Sequence, residues 1–429
     1  MRTAEQVVNE IHSALGDGDK QGLRNAAALL EALQAQPACP VIHIAGTNGK
    51  GSVCAMLSSI LTCAGYHTGL YTSPFLQTYA ERIRLDGSPV SDGQLARYGN
   101  ETLDAAERLK EEKGYRCTPF ELGTALAFRA FREEKTEIIV SETGMGGRLD
   151  PTNAVEKPAV CGITAIGMDH MQYLGGTIGE IAGEKAGIMK RGVPVICFPP
   201  ESEEVRRVLE SHAEEKGAPV TILRREQVRR ISADAHGSDA DLETGGRIWK
   251  GLRISLPGRH QVLNALVVLT ITEELSRQAI RIPDEAVREG LGKVFWPGRL
   301  EWHRNILMDG AHNAQGVTAF RRFTEEQLAG RRKVLLCGVL KEKMSDGMLA
   351  ELSAAADEAV TVTPDSPRAM KADELSSLLA ARGMRSRAAD SLKEGLETAA
   401  GLAGDNGVVL ATGSLYFIGA LRSELGLAP

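Results

Sequence analysis

Apolar positions recur at helical spacing from Met1 to about Leu33, and the run PVIHIA, Pro40–Ala45, then breaks that period as a short continuous apolar stretch. Such a run, stopped by Gly46, reads as a buried strand. Runs of the same kind follow in EIIVSE (Glu137–Glu142), AVCGITAI (Ala159–Ile166) and VPVICF (Val193–Phe198), with helical stretches between them. Strands alternating with helices imply right-handed crossovers and a mainly parallel, doubly wound sheet. Between Pro199 and Lys250 the chain turns charged and irregular, so short strands and exposed loops are expected, with RREQVRR, Arg224–Arg230, as a solvated face. PGRHQVLNALVVLTITEEL (Pro257–Leu275) reads as a turn and a long buried helix, and KVFWPGRLEW (Lys293–Trp302) as a boundary. Beyond it NILMDG, KVLLCG, EAVTVT and VVLATG are strand-like runs separated by helices. The pattern predicts an α/β chain in two parts, a larger domain over residues 1–297 and a smaller one over residues 298–429.

Composition narrows the classes without changing that picture. Of the 429 residues 43% are hydrophobic, 25% charged and only 4% aromatic, and the net charge is -6, which disfavours a nucleic-acid binder built on stacking and basic patches. No apolar run reaches the length that spans a bilayer, and MRTAEQVVNEIHSAL reads as an acidic amphipathic helix rather than a signal peptide. A cytoplasmic location is expected. The seven cysteines form no C-x-x-C pair, so neither a disulfide framework nor a zinc site is indicated.

Chemistry enters at the strand ends. In HIAGTNGKGS the glycines Gly46, Gly49 and Gly51 let backbone approach an anion, the following helix offers its N-terminal N–H groups, Lys50 neutralises phosphate, and Ser52 offers a hydroxyl to Mg²⁺. The spacing is shorter than that of the common P-loop. Ligands of open α/β sheets gather beyond the carboxyl ends of the strands. Glu142, in SETGMGGRLDPTN, and His170, in GMDHMQYLGGT, close two further strands, and convergence with Ser52 makes them candidate metal ligands; Asp169 reads as an orienting or capping group. Lys185, in GEIAGEKAGIMKRG, lies among small residues where a charged ammonium is awkward, with an ion pair to Glu184 as the plain reading.

In order along the chain, HIAGTNGKGS, TSPFL, ERIRLDG, ETGMGGRLDPTN, DHMQYLG, GEKAGI, PGRLE, DGAHN and GSLY resemble the motifs of the folylpolyglutamate synthases, with or without dihydrofolate synthase activity, within the Mur ligases. The resemblance implies a P-loop ATPase domain followed by a Rossmann-like C-terminal domain, and an ATP-dependent amide ligase. ATP would phosphorylate a folate-side carboxylate, and the amine of L-glutamate would displace phosphate from the acyl phosphate. By the same resemblance Thr47, Asn48, Gly49, Lys50 and Gly51 hold phosphates, Ser52 and Glu142 bind one Mg²⁺, and His170 binds a second. Lys185 matches a lysine carboxylated by CO₂, supporting the metal site. Asn264 resembles an adenine contact, Arg299 a phosphate contact and Asp309 a ribose contact. His312, Lys343 and Ser414 fall where glutamate would enter, although Ser414 equally suits a helix N-cap. Ser73 and Arg82 look like folate-side contacts. Lys50, Lys185 and His312 are the candidate catalytic residues. The partners implied are ATP, Mg²⁺, a folate or dihydropteroate, and L-glutamate, acting on a monomer whose domains close over the substrates. Phe75, Pro151 and Glu342 stand where the family commonly has histidine, alanine and aspartate. Two rival readings are a Mur-type ligase acting on a cell-wall peptide and a nucleotide-switched binding protein.

Overall fold

A computed structural model describes residues 1–16 and 22–429. Its largest feature is an eight-stranded sheet. Along the chain its strands are β1 (Val41–Ala45), β2 (Thr68–Tyr71), β3 (Ile83–Leu85), β4 (Ser88–Pro89), β5 (Ile138–Glu142), β6 (Val160–Ile163), β7 (Val195–Cys197) and β8 (Val220–Ile222). They lie in the order β4-β3-β2-β5-β1-β6-β7-β8. Pairing is parallel from β2 to β8 and antiparallel only at the β2–β3–β4 edge. One face packs against helices Lys50–Cys63 and Arg259–Arg277, the other against helices near the N-terminus and in residues 92–133, so the sheet is covered on both sides.

A three-stranded antiparallel sheet, β9 (Val228–Asp234), β10 (Gly237–Thr244) and β11 (Arg247–Ile254), packs on the Arg259–Arg277 helix. The charged segment Pro199–Lys250 thus departs from the expectation of short strands and loops. These strands run seven or eight residues, and a 14-residue helix, Glu203–Lys216, precedes them. Only Val205, Leu209 and Ala213 are buried on that helix, a stripe too thin among charges to announce itself. Ser202 caps its start and Gly217, at φ 64°, its end. Arg224–Arg230 is largely exposed, as a solvated face should be.

The second lobe is a six-stranded sheet, β12 (Glu301–His303), β13 (Ile306–Met308), β14 (Lys333–Cys337), β15 (Glu358–Thr361), β16 (Arg385–Ala388) and β17 (Val408–Thr412), ordered β12-β13-β17-β14-β15-β16. Only the β12–β13 pair is antiparallel. In both sheets the carboxyl ends of the parallel strands open toward one cleft of about 1090 Å³.

Candidate active site between the two lobes

The loop after β1 is shaped by what its glycines permit. Gly49 sits at φ 89°, and a methyl group there would lie 2.7 Å from Asn264 Oδ1. A side chain on Gly51 would meet the Trp296 indole nitrogen at 2.9 Å. Helix Lys50–Cys63 therefore starts without a side-chain cap, whereas helix Asp92–Lys113 has a full capping box at Ser91 and Gln94. Uncapped N–H groups at a helix start favour an anion. Two residues differ from expectation: the amides of Thr47 and Asn48 both donate to Ala165 O, at 2.8 and 3.1 Å. They anchor the loop just beyond the end of β6 and are not free to meet a ligand in this structure.

Lys50 Nζ donates to Gly46 O at 3.2 Å and lies 3.9 Å from Glu142 Oε1. Glu142, 4% exposed at the end of β5, accepts the Ser73 amide on its other oxygen at 3.2 Å. Burial raises its pKa, opposed by Lys50. Ser52 Oγ accepts from Gln261 Nε2 at 3.1 Å, and Gln261 in turn accepts from Asn264 at 2.9 Å. Asn264, 2% exposed, lies behind the loop and does not line the cleft, so in this structure Asn264 supports Gly49 instead of presenting a surface to adenine. Gln261, one helical turn earlier, does line it.

Lys185 is 3% exposed and donates to Gly46 O at 3.0 Å, the same carbonyl that Lys50 uses. Burial and then Lys50 push its pKa down to about 7. The plain reading as a partner of Glu184 fails, because Glu184 holds Arg148 at 2.8 and 3.0 Å instead.

From the second lobe, Lys343 Nζ donates to Asp169 Oδ1, and Asn313 Nδ2 donates to Asp169 Oδ2 at 3.3 Å. His170 Nε2 and His312 Nε2 each lie 3.9 Å from the same carboxylate. Burial opposes ionisation of Asp169, but Lys343, His170 and His312 outweigh it and hold the acid far below its usual range. His312 Nδ1 faces Gly310 O at 2.8 Å, and burial followed by Lys343 pushes its pKa down to about 4. A carbonyl partner requires Nδ1–H, so the neutral ring keeps its Nε2 lone pair toward the cleft. The pKa of His170 is lowered too, by burial first. Asp309 holds the amides of Leu300 and Ala311, each at 2.9 Å, and Arg299 lines the cleft beside it. Ser414 acts as the N-cap of helix Leu415–Glu424, accepting Tyr416 N at 3.1 Å. On the opposite wall Arg82 lies over the rings of Phe75 and Tyr79, at 5.3 and 5.2 Å. All the candidate site residues except Asn264 line this one cleft.

Residues 44–272 match the Mur ligase middle domain, and residues 298–415 match the Mur ligase, glutamate ligase domain. The dihydrofolate synthase/folylpolyglutamate synthase of Bacillus subtilis is 38% identical over 424 residues, covering 97% of each chain. Among solved structures, Mycobacterium tuberculosis folylpolyglutamate synthase complexed with ADP superposes with a TM-score of 0.92 at 32% identity, covering 99% of each chain. E. coli FolC in complex with DHPP and ADP gives 0.88 at 26% identity, covering 99% of this chain and 98% of that one.

The chain belongs to the folylpolyglutamate synthase/dihydrofolate synthase family of Mur ligases.

As in any member of this family, the cleft has to place two anions, a polyphosphate and a carboxylate, against an incoming amine. Among the described residues no three His, Cys, Asp or Glu side chains are placed to hold a metal ion between them. Mg²⁺ takes one or two protein oxygens and leaves its other positions to water and phosphate. Ser52 Oγ and Glu142 are hard oxygen donors, and Glu142 Oε1 accepts no hydrogen bond among the described residues. What the sequence undervalued in this synthase-family site is Asp169, which gathers side chains from both lobes; its partner Lys343 lies 174 positions away. Asn313, the end of DGAHN, and Gln315, which gave no local signal, grip Asn48 across the cleft at 3.1 and 2.7 Å.

Proposed function

We propose that the chain is an ATP- and Mg²⁺-dependent ligase that joins L-glutamate to a carboxylate of a folate through an acyl phosphate. The observation that carries this reading is the meeting, in one cleft, of an uncapped glycine loop with Lys50, Glu142 and Lys185 from one lobe and His312 and Lys343 from the other. The division at residues 297 and 298 into a nucleotide lobe and an amino-acid lobe is part of the proposal. The amides of Gly49 and Gly51 and the Lys50 ammonium hold the phosphates. Ser52 and Glu142 are the residues that would hold Mg²⁺, with His170 and a carboxylated Lys185 at a second position. Bound there, the metal neutralises charge between phosphate and carboxylate. Lys185 suits carboxylation because only a neutral amine adds CO₂, and burial keeps its ammonium form weak.

Glutamate, with two carboxylates and an ammonium, is proposed to bind at Lys343 and His312. Its ammonium must lose a proton before it attacks, and the neutral His312 ring exposes an acceptor on the cleft side. Because the groups holding ATP and glutamate lie on different lobes, bringing the lobes together completes the centre and excludes the water that would hydrolyse the acyl phosphate. A cytoplasmic monomer is part of this reading. The test is phosphate release, with mass spectrometry of products, under ATP and Mg²⁺, with and without L-glutamate, using tetrahydrofolate and dihydropteroate as alternative acceptors. A glutamylated acceptor, with phosphate release dependent on both substrates, is expected. ATP hydrolysis indifferent to glutamate and without any amide product would replace the ligase with a nucleotide-driven switch.

A further inference from the structure

Arg84 lies in β3, between Ile83 and Leu85, and is 9% exposed. Among the described residues no carboxylate comes within 4.0 Å of its guanidinium. One nitrogen, Nη1, donates to Gly87 O at 3.2 Å, the guanidinium lies over the Trp296 ring at 5.5 Å, and Nε has no partner. Arg82, two residues earlier, also has a buried Nε without a partner, and both arginines line the cleft. The adjacent acid, Glu81, acts on Arg84 only at a distance, because its oxygens are held by its own loop and make no contact with either guanidinium. Its oxygens accept the amides of Gln77 at 2.7 Å, Thr78 at 2.6 Å and Leu76 at 3.2 Å.

A buried guanidinium without a counter-ion is costly, and its planar fork matches a carboxylate in two parallel hydrogen bonds. An anion supplied by a ligand resolves the cost. Sheet order says which ligand. Strands β2 and β5 separate β3 from β1, so Arg84 lies three strand spacings, roughly 14 Å, from the strand that ends in the phosphate loop. It belongs to the wall formed by residues 73–82 and Trp296, which carries the candidate folate-side contacts Ser73 and Arg82, and lies away from the phosphate loop.

We propose that Arg84 binds the carboxylate of the acceptor that does not react. An acceptor already carrying a terminal glutamyl residue brings two carboxylates, of which one is consumed in the amide bond and the other remains free for Arg84. A pteroate-type acceptor has one carboxylate and leaves Arg84 unused. Arg84 thus favours glutamylated acceptors over the pteroate type. The proposal rests on the ligase reading given above.

Equilibrium binding separates the two. Affinities of pteroate and of folate monoglutamate are measured by titration calorimetry on the full chain with ADP and Mg²⁺, together with the KM for ATP, for wild type, Arg84→Met and Arg84→Lys. Arg84→Met is expected to weaken folate monoglutamate about tenfold or more, the scale of one charge-assisted pair, with pteroate affinity and the KM for ATP within about twofold of wild type. Arg84→Lys keeps the charge without the fork and should fall between. Equal weakening of both acceptors, or an effect confined to ATP, overturns the assignment of Arg84 while leaving the ligase reading intact. Wild-type protein that binds neither acceptor overturns both. If Arg84→Met does not fold, Arg84→Lys carries the test, and an unchanged ratio of the two affinities then counts against Arg84.

Discussion

The free energy of this site is concentrated in a few buried charges, and Lys185 shows how. An ammonium only 3% exposed, sharing the Gly46 carbonyl with Lys50, is penalised by burial and by its like-charged neighbour, and its pKa falls from 10.5 to about 7. Since the folded value lies below the unfolded one, the unfolded chain binds more protons between about pH 7 and 10.5, and stability contributed at this position rises with pH across that window. Reactivity follows the same proton. Below about pH 7 the amine is charged and closed to CO₂; above it the neutral amine is open to the proposed carbamate. Turnover is therefore expected to rise with pH through about 7, and to rise further with added bicarbonate on the acid side. Lys185→Ala should lower turnover on the order of a hundredfold, the usual loss for a buried electrostatic group, with a short carboxylate restoring part of it. Full turnover in Lys185→Ala, or a profile indifferent to bicarbonate, would remove the residue from the mechanism.

At the scale of elements, the turn between β1 and helix Lys50–Cys63 carries the sharpest constraint. Gly49→Ala forces a side chain into a left-handed conformation, at roughly 1–2 kcal/mol, and drives its methyl against Asn264. Since Asn264 and Gln261 brace Ser52, the displacement reaches the phosphate-binding end of the helix. The KM for ATP is expected to rise about tenfold or more, with a smaller change in the KM for glutamate. Unchanged ATP affinity in a folded Gly49→Ala protein would mean that the turn is merely structural.

The same elements show what a sequence displays and what it hides. Strands β1, β5, β6 and β7, with β13, β14, β15 and β17, are legible because parallel strands buried on both faces are unbroken apolar runs. Strand β2 is hidden: it is TGLY, with Gly69 where a side chain would strike the Phe131 ring at 2.7 Å. Edge strands β12 and β16, half exposed, lack the run altogether. That Glu142 and Lys50 meet in one cleft was legible, because Glu142 ends and Lys50 follows parallel strands whose carboxyl ends share one rim. The use of the Thr47 and Asn48 amides was not, because Ala165, which accepts both, belongs to a distant strand end. Asn264 misled for a related reason. A polar residue on a helix that borders a cleft can face inward, and Gln261 holds it there.

Across the whole molecule the two lobes meet in two different ways. At the mouth the contacts are polar and between loops: Asn48 with Asn313 and Gln315, Lys343 with Asp169, and an exposed Arg259–Glu326 pair at 2.9 Å. The exposed Arg259–Glu326 pair is worth little, whereas Lys343–Asp169, 13% and 9% exposed, is the contact that holds this side. Behind the cleft the contact is buried. Arg422, 2% exposed, donates to Glu301 of β12, to Ala428 O, and at 3.0 Å to Gln77, next to Leu76 of the cleft lining. Glu301 also holds the Gly298 amide at 2.8 Å, in the segment that carries Arg299. Arg422 therefore ties the C-terminal helix to β12 and the linker within the second lobe and, through Gln77, reaches the larger lobe. Arg422→Met leaves Glu301 buried and unpaired, a loss expected at about 3–5 kcal/mol in urea unfolding. Because most of that cost is the orphaned carboxylate, Glu301→Gln in the same chain should recover part of it, giving a coupling of at least about 1 kcal/mol in a double-mutant cycle. The two substitutions adding independently would show that the buried pair does not tie the C-terminal helix to β12, leaving Arg422 to act only through Gln77.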